Sequence, residues 1–129
     1  MVGILIVSHG AFGESLIHSA SHVLGRRPPY LRQLGVTVHD EPEAALAVGQ
    51  DLIRFLDQGD GVLVMTDIYG ATPSNIAAKL LAPGKVEAIA GVNLPMLIRA
   101  LNYREEPLES VLRKALAGAT EGVMRMQPT

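Results

Sequence analysis

The chain has 129 residues, about one domain's worth, and 48% hydrophobic content beside 19% charged residues is enough apolar matter to bury a core. A formal net charge of −2, with no basic run longer than Arg26-Arg27, removes the attraction on which nucleic-acid binding depends. The absence of cysteine excludes disulfides, thiolate metal sites and cysteine nucleophiles, which leaves histidine and oxygen chemistry.

The first element is the apolar run Val2-Gly3-Ile4-Leu5-Ile6-Val7, closed by Ser8-His9-Gly10. It is too short for a bilayer span and lacks the basic leader of a signal peptide, so one cytoplasmic domain over 1–129, with no membrane insertion, is expected. It reads instead as a buried parallel strand. Leu16, Ile17, Ala20, Val23 and Leu24 recur at helical spacing and predict a helix over about 11 to 24, ended by Gly25 and Pro28-Pro29. Arg26-Arg27 would close that helix against its dipole. A weaker strand is predicted near Tyr30 to Val38. Asp40 and Glu43 then have capping-box spacing with Pro42 in the first turn, and Ala45, Val48, Leu52, Phe55 and Leu56 form the stripe of a second helix. Gly61-Val62-Leu63-Val64-Met65 predicts a third strand ending at Thr66-Asp67. Thr72-Pro73 reads as an N-cap followed by proline at the first helical position, for a third helix to about Leu81 before Pro83-Gly84. Val86 to Ala90 is the fourth strand, and helices follow from Asn93 to about Leu101 and from Pro107 to about Ala117. The tail Gly122-Val123-Met124-Arg125-Met126 alternates apolar and charged residues, the pattern of a last, exposed strand.

Strands alternating with helices specify an α/β fold, a doubly wound, mainly parallel sheet of order 2-1-3-4 with helices on both faces. In that order strands one and three are neighbours whose following loops diverge, and a crevice opens between their carboxyl ends. His9 ends the first strand and Asp67 the third. A carboxylate that accepts the proton of one ring nitrogen fixes the tautomer and leaves the other nitrogen nucleophilic, ready for a phosphoryl or acyl group. After Asp67-Ile68-Tyr69 comes Gly70-Ala71-Thr72-Pro73-Ser74-Asn75, where a helix N-terminus offers unpaired N–H groups and Thr72 and Ser74 add hydroxyls for an anion carried on His9. Phosphoryl transfer is the reading this supports, since it demands positioning and charge stabilisation more than further acids or bases. The remaining histidines fit a solvated surface: Glu14, His18 and His22 share a helical stripe facing away from the apolar one, and His39 precedes the second helix. No metal or cofactor is expected.

Ile6-Val7-Ser8-His9-Gly10, the segment from Thr66-Asp67 to Ser74-Asn75, and Ala90-Gly91-Val92-Asn93-Leu94-Pro95-Met96-Leu97 together resemble the mannose-type IIA domain of the bacterial phosphoenolpyruvate:sugar phosphotransferase system, in the same order and over essentially the whole chain. The resemblance implies that His9 is phosphorylated by the phosphocarrier HPr and passes the group to a IIB protein, that Asp67 orients the imidazole, and that Gly10, Gly70, Ala71, Thr72 and Ser74 surround the phosphoryl oxygens. Phe12, Tyr69, Asn93, Leu94 and Met96 are implied as the docking surface for HPr. Where this chain has Ala71 and Thr72 the family loop often has glycine and serine, and Tyr69 stands where an aromatic such as tryptophan is common. The resemblance further implies a homodimer in which a C-terminal edge strand is exchanged, and pairing on a sheet edge would cover Val123, Met124 and Met126. Three other readings share the histidine: a IIA-like phosphocarrier for dihydroxyacetone kinase, a regulatory module that reports phosphorylation to a target, and a small tetrapyrrole chelatase, which would need metal-handling histidines that the chain lacks after His39.

Overall fold

A computed structural model describes all 129 residues. Four parallel strands, β1 (Gly3–His9), β2 (Leu31–Val36), β3 (Val62–Thr66) and β4 (Val86–Ala90), form one sheet in the order β2-β1-β3-β4. Five helices connect or follow them: α1 (Phe12–Leu24), α2 (Pro42–Leu56), α3 (Thr72–Leu80), α4 (Leu94–Asn102) and α5 (Leu108–Glu121). None is long and apolar enough to cross a membrane.

Alternation along each strand divides the core. Ile4 and Ile6 of β1, with Leu63 and Met65 of β3, pack beneath α1, α4 and α5 against Ile17, Ala20, Met96, Leu97, Ala100, Val111 and Ala115. Leu5 and Val7, with Val62 and Val64, face the other side and meet Ala45 and Leu56 of α2 and Ile76, Ala77 and Leu80 of α3. Burial on both faces is why β1 and β3 read as continuous apolar runs. Continued to the end of β1, the same alternation puts Ser8 on the α1 side and His9 on the α3 side.

Helix boundaries depart from expectation at three places, each for a local reason. The cap of α2 is Glu41 and not Asp40, whose carboxylate accepts from the Thr37 amide at 2.7 Å and closes a turn before the helix. α3 begins one residue early, so Ala71 holds the cap position, Thr72 is already helical, and no side chain caps the first turn. α5 runs four residues beyond Ala117, because Ala119 still packs on the core. From Val123 to Thr129 the chain forms no regular element and does not join its own sheet; Val123, Met124 and Met126 are exposed.

The amino ends of the strands are tied together by Arg104. This arginine is 6% exposed and donates from Nε to Val2 O at 3.0 Å, from one terminal nitrogen to Pro29 O at 2.6 Å and from the other to Tyr30 O at 2.8 Å. Burial pushes its pKa down, yet the guanidinium has no carboxylate partner. Three carbonyl dipoles do that work, and one of them belongs to Tyr30, the one non-glycine residue with left-handed backbone (φ 51°).

Candidate functional site

The carboxyl ends of β1 and β3 lie side by side, with Val7 opposite Thr66, so the residues just beyond them meet. His9 Nδ1 stands 2.7 Å from Asp67 Oδ2, and the same oxygen accepts the His9 backbone N–H at 2.8 Å. The other oxygen, Oδ1, accepts from the Ile68 amide at 2.9 Å. The imidazole is 55% exposed while the Asp67 side chain is 14% exposed. Burial opposes ionisation of Asp67, but the His9 amide, the His9 ring and the Ile68 amide outweigh it and hold the carboxyl below its ordinary pKa. Asp67 is therefore held as an anion, and an anion beside Nδ1 favours a ring proton on that nitrogen. Nε2 makes no protein hydrogen bond.

Glycines shape the turns around this pair. Gly10 (φ 51°) turns the chain out of β1 immediately after His9, and its amide donates to Val36 O at 2.9 Å. Gly70 (φ 88°) does the same before α3, its amide reaching Ser74 Oγ at 3.2 Å. The N–H groups of Thr72 and Ser74, in the first turn of α3, meet no protein acceptor, and Pro73 has none to offer. Two backbone donors and the positive end of a helix dipole are thus left open at the carboxyl edge of the sheet, on the face toward which His9 points. The role expected of Thr72 as the cap is not realised. Its exposed hydroxyl is free.

The third predicted segment divides. Asn93 caps α4 by accepting from the Met96 amide at 2.9 Å and donates from its side chain to Ala119 O at 3.2 Å, so it fastens α4 to α5. Met96 is 1% exposed and belongs to the core, which withdraws it from any docking surface. Leu94 is half-buried and packs on the same core. Phe12 and Tyr69 are exposed as a docking surface requires. Two further exposed apolar residues lie in loops: Val38, expected at the end of the second strand, stands two residues beyond β2, and Ile68, beside Asp67, is an isolated apolar residue that gave no signal in the sequence. Ser8 escaped it too: its buried Oγ accepts the Gly13 amide at 2.9 Å and anchors the start of α1. The available signal was a lone hydroxyl in an otherwise apolar strand. On α1, Glu14 pairs with Arg27 at 2.8 Å, not with His18 or His22.

Residues 3–116 match the family described as PTS system fructose IIA component. The chain is 27% identical over 129 residues to the mannose-specific EIIAB component of Escherichia coli K12, covering 98% of this chain and 40% of that protein, so it spans well under half the length of that relative. It is 30% identical over 112 residues to the fructose-specific EIIA component of Bacillus subtilis, covering 81% of this chain and 72% of the relative. Among solved structures, the phosphotransferase system component EIIA from Streptococcus agalactiae superposes with a TM-score of 0.86 at 25% identity, covering 97% of each chain. The mannose/sorbose-specific IIA subunit from Enterococcus faecalis has the same TM-score at 21% identity, covering 99% of this chain and 96% of that one, and shares the fold. The parallel sheet of order 2-1-3-4 is thus that of the solved IIA structures, and the chain belongs to the mannose/fructose IIA family of the phosphotransferase system.

Proposed function

We propose that this protein is a phosphocarrier that takes a phosphoryl group from phospho-HPr onto His9 Nε2 and hands it to a IIB protein. The observation that carries the reading is the single carboxylate oxygen of Asp67 that binds both the His9 amide and Nδ1. In the forward step the Nε2 lone pair attacks phosphorus, the donor P–N bond breaks, and the donor imidazole leaves with that electron pair. Positive charge that builds on the His9 ring is met by Asp67 at Nδ1. The equatorial oxygens would be received by the Thr72 and Ser74 amides and hydroxyls, beside Gly10, Gly70 and Ala71. Onward transfer to IIB is the same displacement in reverse, so no cofactor or metal enters either step. Phe12, Tyr69, Val38 and Ile68, each an exposed apolar side chain in a loop or first helical turn after the strands, are the residues proposed to meet the partner.

Incubation with phosphoenolpyruvate, enzyme I and HPr, followed by intact-mass measurement, tests the reading. One acid-labile, base-stable phosphoryl group is expected, and none on His9→Ala; phosphate retained by a folded His9→Ala protein would contradict the assignment. Addition of a mannose-type IIB protein should then discharge the adduct.

The 129 residues are proposed to act as one domain and as a homodimer. β4 is an outer strand of the sheet, and a groove of about 230 Å³ beside it, lined by Tyr69, Ala77, Leu81, Ala88 and Ala90, supports a reading in which a partner's Val123–Met126 segment covers it. Sedimentation at micromolar concentration should show a dimer, and deletion from Glu121 onward should shift it toward monomer. A monomeric intact protein would end this reading without touching the phosphocarrier assignment.

A further inference from the structure

His9 is gripped from both neighbouring strands. On the β3 side Asp67 binds its amide and its ring. On the β2 side the grip falls on the residue that follows it: Gly10 donates its amide to Val36 O, and its carbonyl oxygen passes directly over Gly35, the residue paired with Ser8. A Cβ on Gly35 would run into that oxygen, 3.2 Å from the carbonyl carbon and 3.3 Å from Gln33 Oε1, a buried acceptor with no partner. Gly35 is ordinary extended backbone, so the requirement there is one of space and not of conformation.

From this contact we propose that Gly35 is a positioning residue for phosphoryl transfer. Its missing side chain leaves room for the Gly10 carbonyl against β2 while the amide that joins Gly10 to His9 stays bonded to Val36 O, and this turn sets the direction in which His9 leaves β1. A Cβ would lift the Gly10 carbonyl, tilt His9 and lengthen both contacts to the one Asp67 oxygen. The tautomer would then no longer be held as Nδ1–H. The kinetic half of this inference rests on the phosphocarrier reading; the tautomer half does not.

Gly3 furnishes a matched control on the same strand. A Cβ there would collide with the backbone carbonyl of Leu56, a clash of the same kind, but six residues from His9 and roughly 20 Å away at the strand rise per residue. Gly35→Ala and Gly3→Ala should both lower the melting temperature. Long-range ¹H–¹⁵N correlation of the histidine ring should show a single Nδ1–H tautomer for the natural protein and for Gly3→Ala, and a mixture for Gly35→Ala. Single-turnover phosphoryl acceptance should fall about 100-fold in Gly35→Ala, the scale expected when a reacting group is displaced by an ångström, and remain near the natural rate in folded Gly3→Ala. Should Gly35→Ala not fold, Gly10→Ala addresses the same turn, because its Cβ meets nothing within 4 Å and only the left-handed backbone is strained; it should give the same tautomer mixture. A single Nδ1–H tautomer in whichever of these two variants folds, or equal loss in Gly3→Ala, overturns the proposal. If the natural protein holds one tautomer that Gly35→Ala loses, yet accepts no phosphate, the phosphocarrier reading fails and only the part of the proposal that assigns Gly35 to holding the His9 tautomer stands.

Discussion

The two ends of the sheet handle polar groups in opposite ways. At the amino end Arg104 draws together the carbonyls of Val2, Pro29 and Tyr30, and the Met1 ammonium pairs with Asp60. At the carboxyl end three contacts hold Asp67, but His9 Nε2 and the first amides of α3 are left without partners. A closed polar network contributes stability, whereas an open one is free for chemistry. Mutations of the two polar anchors should therefore separate: loss of activity with the fold kept at Asp67, loss of fold stability without loss of chemistry at Arg104.

The largest effect expected is at Asp67. Asp67→Ala should keep the fold and slow phosphoryl acceptance by about two to three orders of magnitude, the usual loss when a proton-holding partner is removed. An unchanged single-turnover rate in the folded variant would take Asp67 out of the mechanism. At the other end, Arg104→Ala strands buried carbonyls and should cost about 3 kcal/mol, in the range of hydrogen bonds made to charged groups. Urea denaturation checks this, and the same protein below its transition should accept phosphate at close to the natural rate. If Arg104→Ala slowed transfer as much as Asp67→Ala, the division between the ends would collapse.

The smallest effect is one of pH. Since the folded pKa of Asp67 is depressed, its contribution to stability is full above the ordinary carboxylate value and is lost as pH falls below that value through the lowered one. The stability difference between the natural protein and Asp67→Asn should accordingly hold steady from neutral pH down to the ordinary carboxylate range and close only below it. A difference that closes near neutral pH would point to another group.

Much of this was legible in the order of residues. Ile4 to Val7 and Val62 to Met65 are apolar on both faces, so two buried parallel strands were readable, and with them the crevice that holds His9 and Asp67. Capping was less legible, because hydroxyl and carboxyl side chains have several backbone partners within reach. Asp40 chose the Thr37 amide over the helix, and Thr72 entered the helix it was expected to cap. Long-range contacts left no local trace. Arg104 looks like any surface arginine until the chain brings Val2 and Tyr30 around it, and Met96 reads equally well as rim or core. Gly35 carried no turn signal, for its neighbour is a carbonyl 25 residues earlier in the chain.

The central claim is that Asp67 holds Nδ1 so that Nε2 of His9 is the nucleophile. It is tested most directly by long-range ¹H–¹⁵N and ³¹P correlation on the ¹⁵N-labelled protein phosphorylated through HPr. One phosphohistidine is expected, at His9, with phosphorus coupled to Nε2 and the proton retained on Nδ1. Phosphorus coupled to Nδ1, or found on His18, His22 or His39, would contradict it.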